Sequence, residues 1–305
     1  MKTYTLVVNS NAGGGRPRKL LEGIERALRA GGVQYTVELT KGPGDATKLA
    51  AASQYDVVIS VGGDGTVNEV LNGLRPGVSL GIVPAGSGND LIKSLPIPPS
   101  PMDALHTAVY GRPLKVDAGS VTCSVHSSNE KEPGVPASSR LFLNGVGIGF
   151  DAEVAVRKGE IPYLTGTLVY VAAVLQTLGR YKSPLFKVNC NGVSRESRQL
   201  LIAVGNGRCA GGGFYLTPEA DPSDGELDVC LIGHVSIFTI LRLMPRVMKG
   251  RHAGHPCVTF ARTREISLES LTPFFVHADG EIAGRGVNRV DIGILPQHLS
   301  VQVGY

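Results

Sequence analysis

Gly62, Gly63 and Gly65 surround the carboxylate of Asp64 in the run Val61-Gly62-Gly63-Asp64-Gly65-Thr66-Val67-Asn68-Glu69-Val70. The β-branched stretch Asp56–Val61 precedes it, and apolar Val67, Val70, Leu71 and Leu74 follow at helical spacing. A glycine-rich turn between strand and helix lets backbone N–H groups approach a phosphate closely, and the helix N-terminus adds positive potential. Asp64 runs against that arrangement. At ~4 Å from a phosphate oxygen and an effective dielectric of ~20, two like charges repel by ~4 kcal/mol. Asp64 therefore either holds a metal through water or faces the group that attacks the phosphate, unless the turn is simply a solvated Asp-Gly turn.

A second turn of the same kind follows. The strand-like Ser79–Val83 runs into Pro84-Ala85-Gly86-Ser87-Gly88-Asn89-Asp90, and Leu91-Ile92 begin a short helix. Two such turns after consecutive parallel strands meet along one edge of the sheet, where open α/β sheets bind ligands. Phosphoryl transfer needs donors around the phosphates, a divalent metal and a base for the acceptor hydroxyl. The first turn and the Asn9–Gly13 segment supply donors, and Arg16 and Arg18 near the latter in sequence either help or are solvated helix-start residues. Asp64, Asp90, Asp117, Asp279 and Glu281 all stand beside glycine or at strand ends. On its own Asp279-Gly280-Glu281 is a hairpin turn. The acidic turn Ala220–Leu227 crowds oxygen donors suited to Mg²⁺ or Ca²⁺, or is solvated.

The elements that must position these residues change character along the chain. Residues 1 to about 112 alternate strand and helix as in a doubly wound parallel sheet: Thr3–Val8, Arg16–Ala30, Val33–Leu39, Ala46–Ser53, the two glycine units and Met102–Tyr110. Residues 113–294 read as short strands between polar turns, such as Leu114–Asp117, Arg140–Asn144, Leu185–Val188 and Gln199–Val204, which predicts a mostly antiparallel second domain. Pro162–Leu178 reads as a core-packed apolar helix and Val125–Ser139 as a loop in a hairpin.

Composition narrows the function. A net charge of +4 with scattered Lys and Arg gives no nucleic-acid footprint, and the chain has no Trp and few other aromatics to stack on single strands. Five cysteines, Cys123, Cys190, Cys209, Cys230 and Cys257, lack paired metal-ligand spacing and read as reduced thiols of a cytosolic protein. The chain enters a strand at Tyr4 without a signal-peptide pattern, and its longest apolar window, Leu168–Leu178, is short of the ~20 residues that span a bilayer, so membrane contact is expected to be peripheral. His252, His255 and Cys257 are separated by helix-breaking Gly254 and Pro256, which argues against zinc. Neither a hydrolase nucleophile elbow nor a Gly-x-Gly-x-x-Gly after the first strand is present.

Nearly the whole chain resembles the diacylglycerol kinase catalytic-domain family, which includes bacterial lipid kinases and sphingosine kinases and is related to NAD kinase. The resemblance rests on Gly62–Thr66 with Asn68–Val70, on Pro84–Asp90 with Ser87 in place of the usual Thr, and on Asn9–Gly13, which lacks the family's proline. It implies a fold of α/β plus β type: an N-terminal nucleotide-binding domain rejoined by residues about 295–305, a β-sandwich-like lipid domain, and an active site in the cleft between them. It implies that Asn9, Asn11, Ala12, Gly13, Thr40, Gly62, Gly63, Asp64, Gly65, Thr66, Asn68 and Ser87 bind ATP. Glu281 would be the general base, with Asp64 and Asp279 also catalytic. Asp224 would hold a structural Mg²⁺ by its side chain and Asp221 and Glu226 by backbone carbonyls, while Asp64, Asp90 and Asp117 would form a network for a catalytic Mg²⁺. The implied enzyme is an ATP- and Mg²⁺-dependent lipid kinase of the cytoplasm, visiting the membrane surface for its lipid substrate, with a homodimer left open. The rival readings are a soluble small-molecule kinase of the NAD kinase type and a catalytically inactive nucleotide- or lipid-binding protein of the same fold.

Overall fold

The computed structural model describes residues 2–125, 135–158, 177 and 181–305. They fall into two compact units, Met1–Asp117 with Pro296–Tyr305, and Ala118–Leu295. The helix expected over Pro162–Leu178 lies outside the described residues apart from Thr177, as does most of the loop expected over Val125–Ser139.

In the first unit, strands β1 (Thr3–Val8), β2 (Gln34–Leu39), β3 (Val57–Gly62) and β4 (Ser79–Pro84) pair in the order β4-β3-β1-β2, all parallel. The apolar runs of β1, β3 and β4 follow from burial on both faces: every residue of β3 is buried, as are Leu6, Val7 and Val8 of β1, while β2 at the sheet's edge stays partly exposed and more polar. Helices α1 (Arg16–Ala30), α2 (Asp45–Ala52), α3 (Asp64–Leu71) and α4 (Pro101–Tyr110) complete the unit. Ile24 and Leu28 of α1 and Leu105, Ala108 and Val109 of α4 pack into the same cluster as Leu6, Ile59 and Val83. The end of the chain adds a further parallel strand, pairing Ser300 with Ser79 and Val301 with Leu80.

The chain leaves this unit within β5 (Arg112–Val125) and returns to it within β13 (Glu281–Val303). Between them lie β6 (Val135–Phe142), β7 (Gly145–Gly149), α5 (Phe150–Lys158), β8 (Leu185–Cys190), β9 (Val193–Gly205), β10 (Leu227–Gly233), α6 (Ile237–Val247), β11 (Val258–Thr263) and β12 (Glu265–Ala278). The pairing in this unit is antiparallel. β7 pairs with both β9 and β12, and β8 pairs with the other halves of the same two strands, so four strands close a ring. Phe142, Ile148, Phe186, Ile202 and Leu268 fill it. Strands here are longer than hydropathy suggests. Gln199–Val204 is the buried end of β9, whose other end, Val193–Arg198, is mostly exposed and polar and so leaves no apolar signature.

Candidate active site

The site begins at the C-terminal ends of the parallel strands. Beyond β1 the backbone N–H of Asn9 donates to Val61 O at 3.1 Å, and the Asn9 side-chain amide donates to the Thr66 hydroxyl at 3.1 Å. Asn11 N–H in turn donates to the Asn9 Oδ1 at 3.2 Å, and Ala12–Gly14 coil into a single 3₁₀ turn. This first loop is thus tied to the loop beyond β3. That loop is tied to the one beyond β4, because Ala85 N–H donates to Gly62 O at 2.7 Å and Leu91 N–H donates to the Asp64 Oδ1 at 3.3 Å. Arg16 closes the circuit by donating to Gly86 O at 3.4 Å.

Glycine is required here by proximity. A Cβ on Gly13 would run into the Ala85 carbonyl, one on Gly63 would stand 3.1 Å from the Gly86 Cα, and one on Gly86 would overlap the Gly63 Cα. The three loops therefore touch backbone to backbone. α3 starts at Asp64 with no side-chain cap, so its first turn offers N–H groups that lack intrahelical partners. Backbone donors and a helix N-terminus together form an anion site. Asp64 is half-buried, Thr66 and Asn68 are buried, and Ser87 is exposed. Thr40 lies at the end of β2, its N–H bonded to Val8 O at 3.0 Å. Glu69 has a role that its place in the sequence does not announce: its carboxylate accepts the N–H groups of Gly44 and Ala46 at 3.0 and 3.1 Å, capping α2.

Asp90 and Asp117 belong to the same unit. Asp90 is buried against Lys93 Nζ at 2.6 Å, and Asp117 accepts the Gln297 N–H at 2.6 Å. Among the described residues, no cluster of three or more His, Cys, Asp or Glu side chains is arranged to hold a metal ion.

The remaining candidates lie in the second unit. Asp279 and Gly280 have φ of +50° and +86° and join Ala278 to its partner Glu281, the two-residue turn that matches strand twist. The Asp279 carboxylate accepts three backbone N–H groups, from Leu143, Asn144 and Gly145, each at 2.9 Å. Asp279 thus holds the turn down onto the start of β7, and Glu281 projects from it exposed. Asn144 and Asn206, which no sequence motif singles out, brace the same corner: Asn144 donates to Cys209 O, and Asn206 donates to Leu143 O at 2.7 Å. Two residues before Asp279, buried His277 meets buried Asp151 at 2.8 Å across Gly147, where any Cβ would collide with both.

The acidic turn folds around a cation of its own. Asp221 accepts the N–H and hydroxyl of Ser223, and Asp224 Oδ1 accepts the Glu226 N–H at 3.0 Å. The Arg262 guanidinium lies against Asp224, against Glu226 at 3.1 Å and against Asp228 at 3.8 Å. The Asp228 carboxyl is pushed up to about 6, chiefly by burial; Arg262 opposes that shift, and the neighbouring Asp224, Glu219 and Glu226 carboxylates add to it. A folded-state value above the ordinary ~4 means that ionisation opposes folding, so stability falls as pH rises from about 4 through about 6. Asp228→Asn is expected to flatten the decline of melting temperature across that interval. An unchanged pH profile would show that Asp228 ionises freely.

No described helix is long and apolar enough to cross a membrane. Compared with known proteins, residues 3–121 match the diacylglycerol kinase catalytic domain, and residues 144–303, more than half of the chain, match the YegS C-terminal NAD kinase beta sandwich-like domain. A curated diacylglycerol kinase of Staphylococcus saprophyticus is 27% identical over 293 residues, covering 93% of this chain and 90% of that protein. One from Staphylococcus aureus strain RF122 is also 27% identical, covering 93% and 87%. The crystal structure of a diacylglycerol kinase from Bacillus anthracis aligns with a TM-score of 0.72 at 23% identity, over 99% of this chain and 97% of that one. An NAD kinase from Archaeoglobus fulgidus in complex with ATP shares the fold at a TM-score of 0.52 and 18% identity, over 99% and 93%. Carrying both domains in this order, the chain belongs to the diacylglycerol kinase catalytic-domain family.

Proposed function

We propose that the chain is a kinase that moves the γ-phosphoryl group of ATP to the hydroxyl of a lipid, with Mg²⁺ as its metal. The observation that carries this reading is the meeting of three loops on adjacent parallel strands, packed so closely at Gly13, Gly63 and Gly86 that only backbone fits. Such a surface accepts phosphates rather than side chains. The curated relatives, named diacylglycerol kinase and matched along about nine-tenths of their length, support a lipid acceptor.

In this reading Asn9–Gly13 and Gly62–Thr66 hold the phosphates, and Thr40 and Ser87 contact the rest of the nucleotide. The acceptor hydroxyl oxygen attacks the γ-phosphorus as its bond to the β,γ-bridging oxygen breaks. ADP leaves, and the hydroxyl proton passes to Glu281. Asp279 fixes the backbone that carries Glu281. Mg²⁺ binds through one or two carboxylates together with phosphate and water, so a three-carboxylate cage is not needed. Half-buried Asp64 at the mouth of the loops fits that role; Asp90 and Asp117 are engaged by Lys93 and the Gln297 N–H and would support it from behind. Bound there, the ion would offset phosphate charge. The enzyme would work from the cytoplasm, reaching its acceptor at the membrane surface.

Incubation with labelled ATP, Mg²⁺ and a panel of diacylglycerol, phosphatidylglycerol, ceramide, sphingosine and NAD tests the reading. Label is expected in a chloroform-soluble product. Label in NAD alone would replace the lipid acceptor with a soluble one, and no label in any acceptor would leave a nucleotide-binding protein without transfer activity.

A structural Mg²⁺ at Asp224, with the carbonyls of Asp221 and Glu226, would share its carboxylate with Arg262. A ligand bound only by the native state raises stability by mass action. Wild-type melting temperature is therefore expected to rise with Mg²⁺ and that of Asp224→Ala to be unresponsive. Equal Mg²⁺ shifts in the two proteins would leave Arg262 as the turn's sole cation.

A further inference from the structure

We propose that α6 and the loop after it form a docking face for an anionic lipid bilayer. Pro245 interrupts an otherwise helical pattern here, which conceals the helix in the sequence. One face is accounted for: Leu243 and Val247 are buried, and Ile240 and Met244 pack against the same core cluster. Beside it runs a second apolar strip that nothing among the described residues covers. Phe238, Leu241, Pro245 and Met248 recur at offsets of three, seven and ten residues, a single stripe along the helix, and all are exposed, Phe238 by 77%. Ile237, exposed by 46%, widens it at the N-terminal end. A lone exposed apolar residue is ordinary, but a continuous stripe on one helix marks an interaction surface.

Charge identifies the partner. Arg242, Arg246 and Lys249 form the neighbouring stripe, Arg251 follows in the loop, and all four are exposed. No Asp or Glu occurs anywhere from Val229 to Arg264. The surface is therefore apolar along one line and purely basic along the next. A bilayer bearing anionic headgroups satisfies both at once, with Phe238 and Leu241 among the acyl chains and the long Arg and Lys stems reaching out to phosphates. A second copy of the chain would set this basic stripe against itself. The inference deepens the lipid-acceptor reading and rests on it for the reason a membrane is visited.

The chain contains no Trp, so Phe238→Trp would create a single reporter inside the stripe. Vesicles of phosphatidylcholine with phosphatidylglycerol in equal parts are expected to shift its emission to the blue, vesicles of phosphatidylcholine alone to do so weakly, and salt to reverse the effect. Adding Leu241→Asp, or Arg242→Glu with Lys249→Glu, is expected to weaken vesicle affinity by roughly tenfold or more while melting temperature stays unchanged. An emission that ignores anionic vesicles, or variants that bind as tightly as the parent, would overturn the proposal. So would a blue shift that grows with protein concentration in the absence of vesicles, together with a dimer in sedimentation velocity. Phosphorylation of a short-chain, monodisperse lipid acceptor separates the two readings: Leu241→Asp should retain it. Loss of every lipid acceptor by the wild-type protein would refute the lipid kinase while leaving the vesicle result to decide the surface.

Discussion

Glu281→Gln is expected to lower kcat by ~100-fold to 10,000-fold and to leave ATP affinity nearly intact, the range in which positioned general bases contribute. The geometry makes the substitution clean. Glu281 is exposed and follows a turn whose shape is set elsewhere, by the left-handed backbone of Asp279 and Gly280 and by the three N–H groups that Asp279 gathers from Leu143, Asn144 and Gly145. Glutamine keeps the volume and loses the basicity. Asp64→Asn should behave differently, lowering kcat and also weakening the dependence of rate on Mg²⁺ concentration, because Asp64 would organise the ion. Titrating Mg²⁺ against rate for both variants tells the roles apart. Near-normal turnover in Glu281→Gln, with activity abolished and magnesium dependence normal in Asp64→Asn, would make Asp64 the base.

The first unit is readable from sequence because its signals are local. β1, β3 and β4 of the parallel sheet are almost wholly buried and so appear as largely apolar runs, whereas β2 at the sheet's edge is not, and the glycine turns beyond β3 and β4 need glycine at fixed positions within a few residues. The second unit is harder to read because its logic is distant. Asp279 looks like any hairpin turn until Leu143, Asn144 and Gly145, more than 130 residues earlier, arrive to fill its carboxylate. β9 hides half its length because Val193–Arg198 is mostly exposed. α6 escapes sequence reasoning for two reasons: Pro245 argues against a helix, and its uncovered apolar stripe blurs the amphipathic pattern. Arg16 could have been a solvated helix-start residue; its bond to Gly86 O depends on a loop 70 residues away.

Gly63→Val is expected to weaken nucleotide binding by at least ~100-fold, about 2.7 kcal/mol, in a protein that still folds. The cause is steric, not conformational: Gly63 has φ −100° and ψ −174°, extended backbone that any residue adopts, so the left-handed freedom that glycine turns usually supply has no part here. A Cβ at Gly63 would stand 3.1 Å from the Gly86 Cα, and the extra methyl groups of valine would push the two loops apart where phosphate is to approach. The reciprocal change, Gly86→Ala, tests the same contact from the other side, since its Cβ would overlap the Gly63 Cα and approach Asn89 Oδ1 at 2.9 Å. Overpacking of this kind costs ~1–3 kcal/mol of stability, and the sheet core of Leu6, Ile59 and Val83 is left untouched. Gly77→Ala is the control, because Gly77 has φ +85° and an added Cβ there would meet no atom within 4 Å, so it carries backbone strain alone. Calorimetric titration with ATP and thermal melting of the three variants should show two that fold and fail to bind and one that binds normally. Wild-type affinity in a folded Gly63→Val would remove this loop from the nucleotide site.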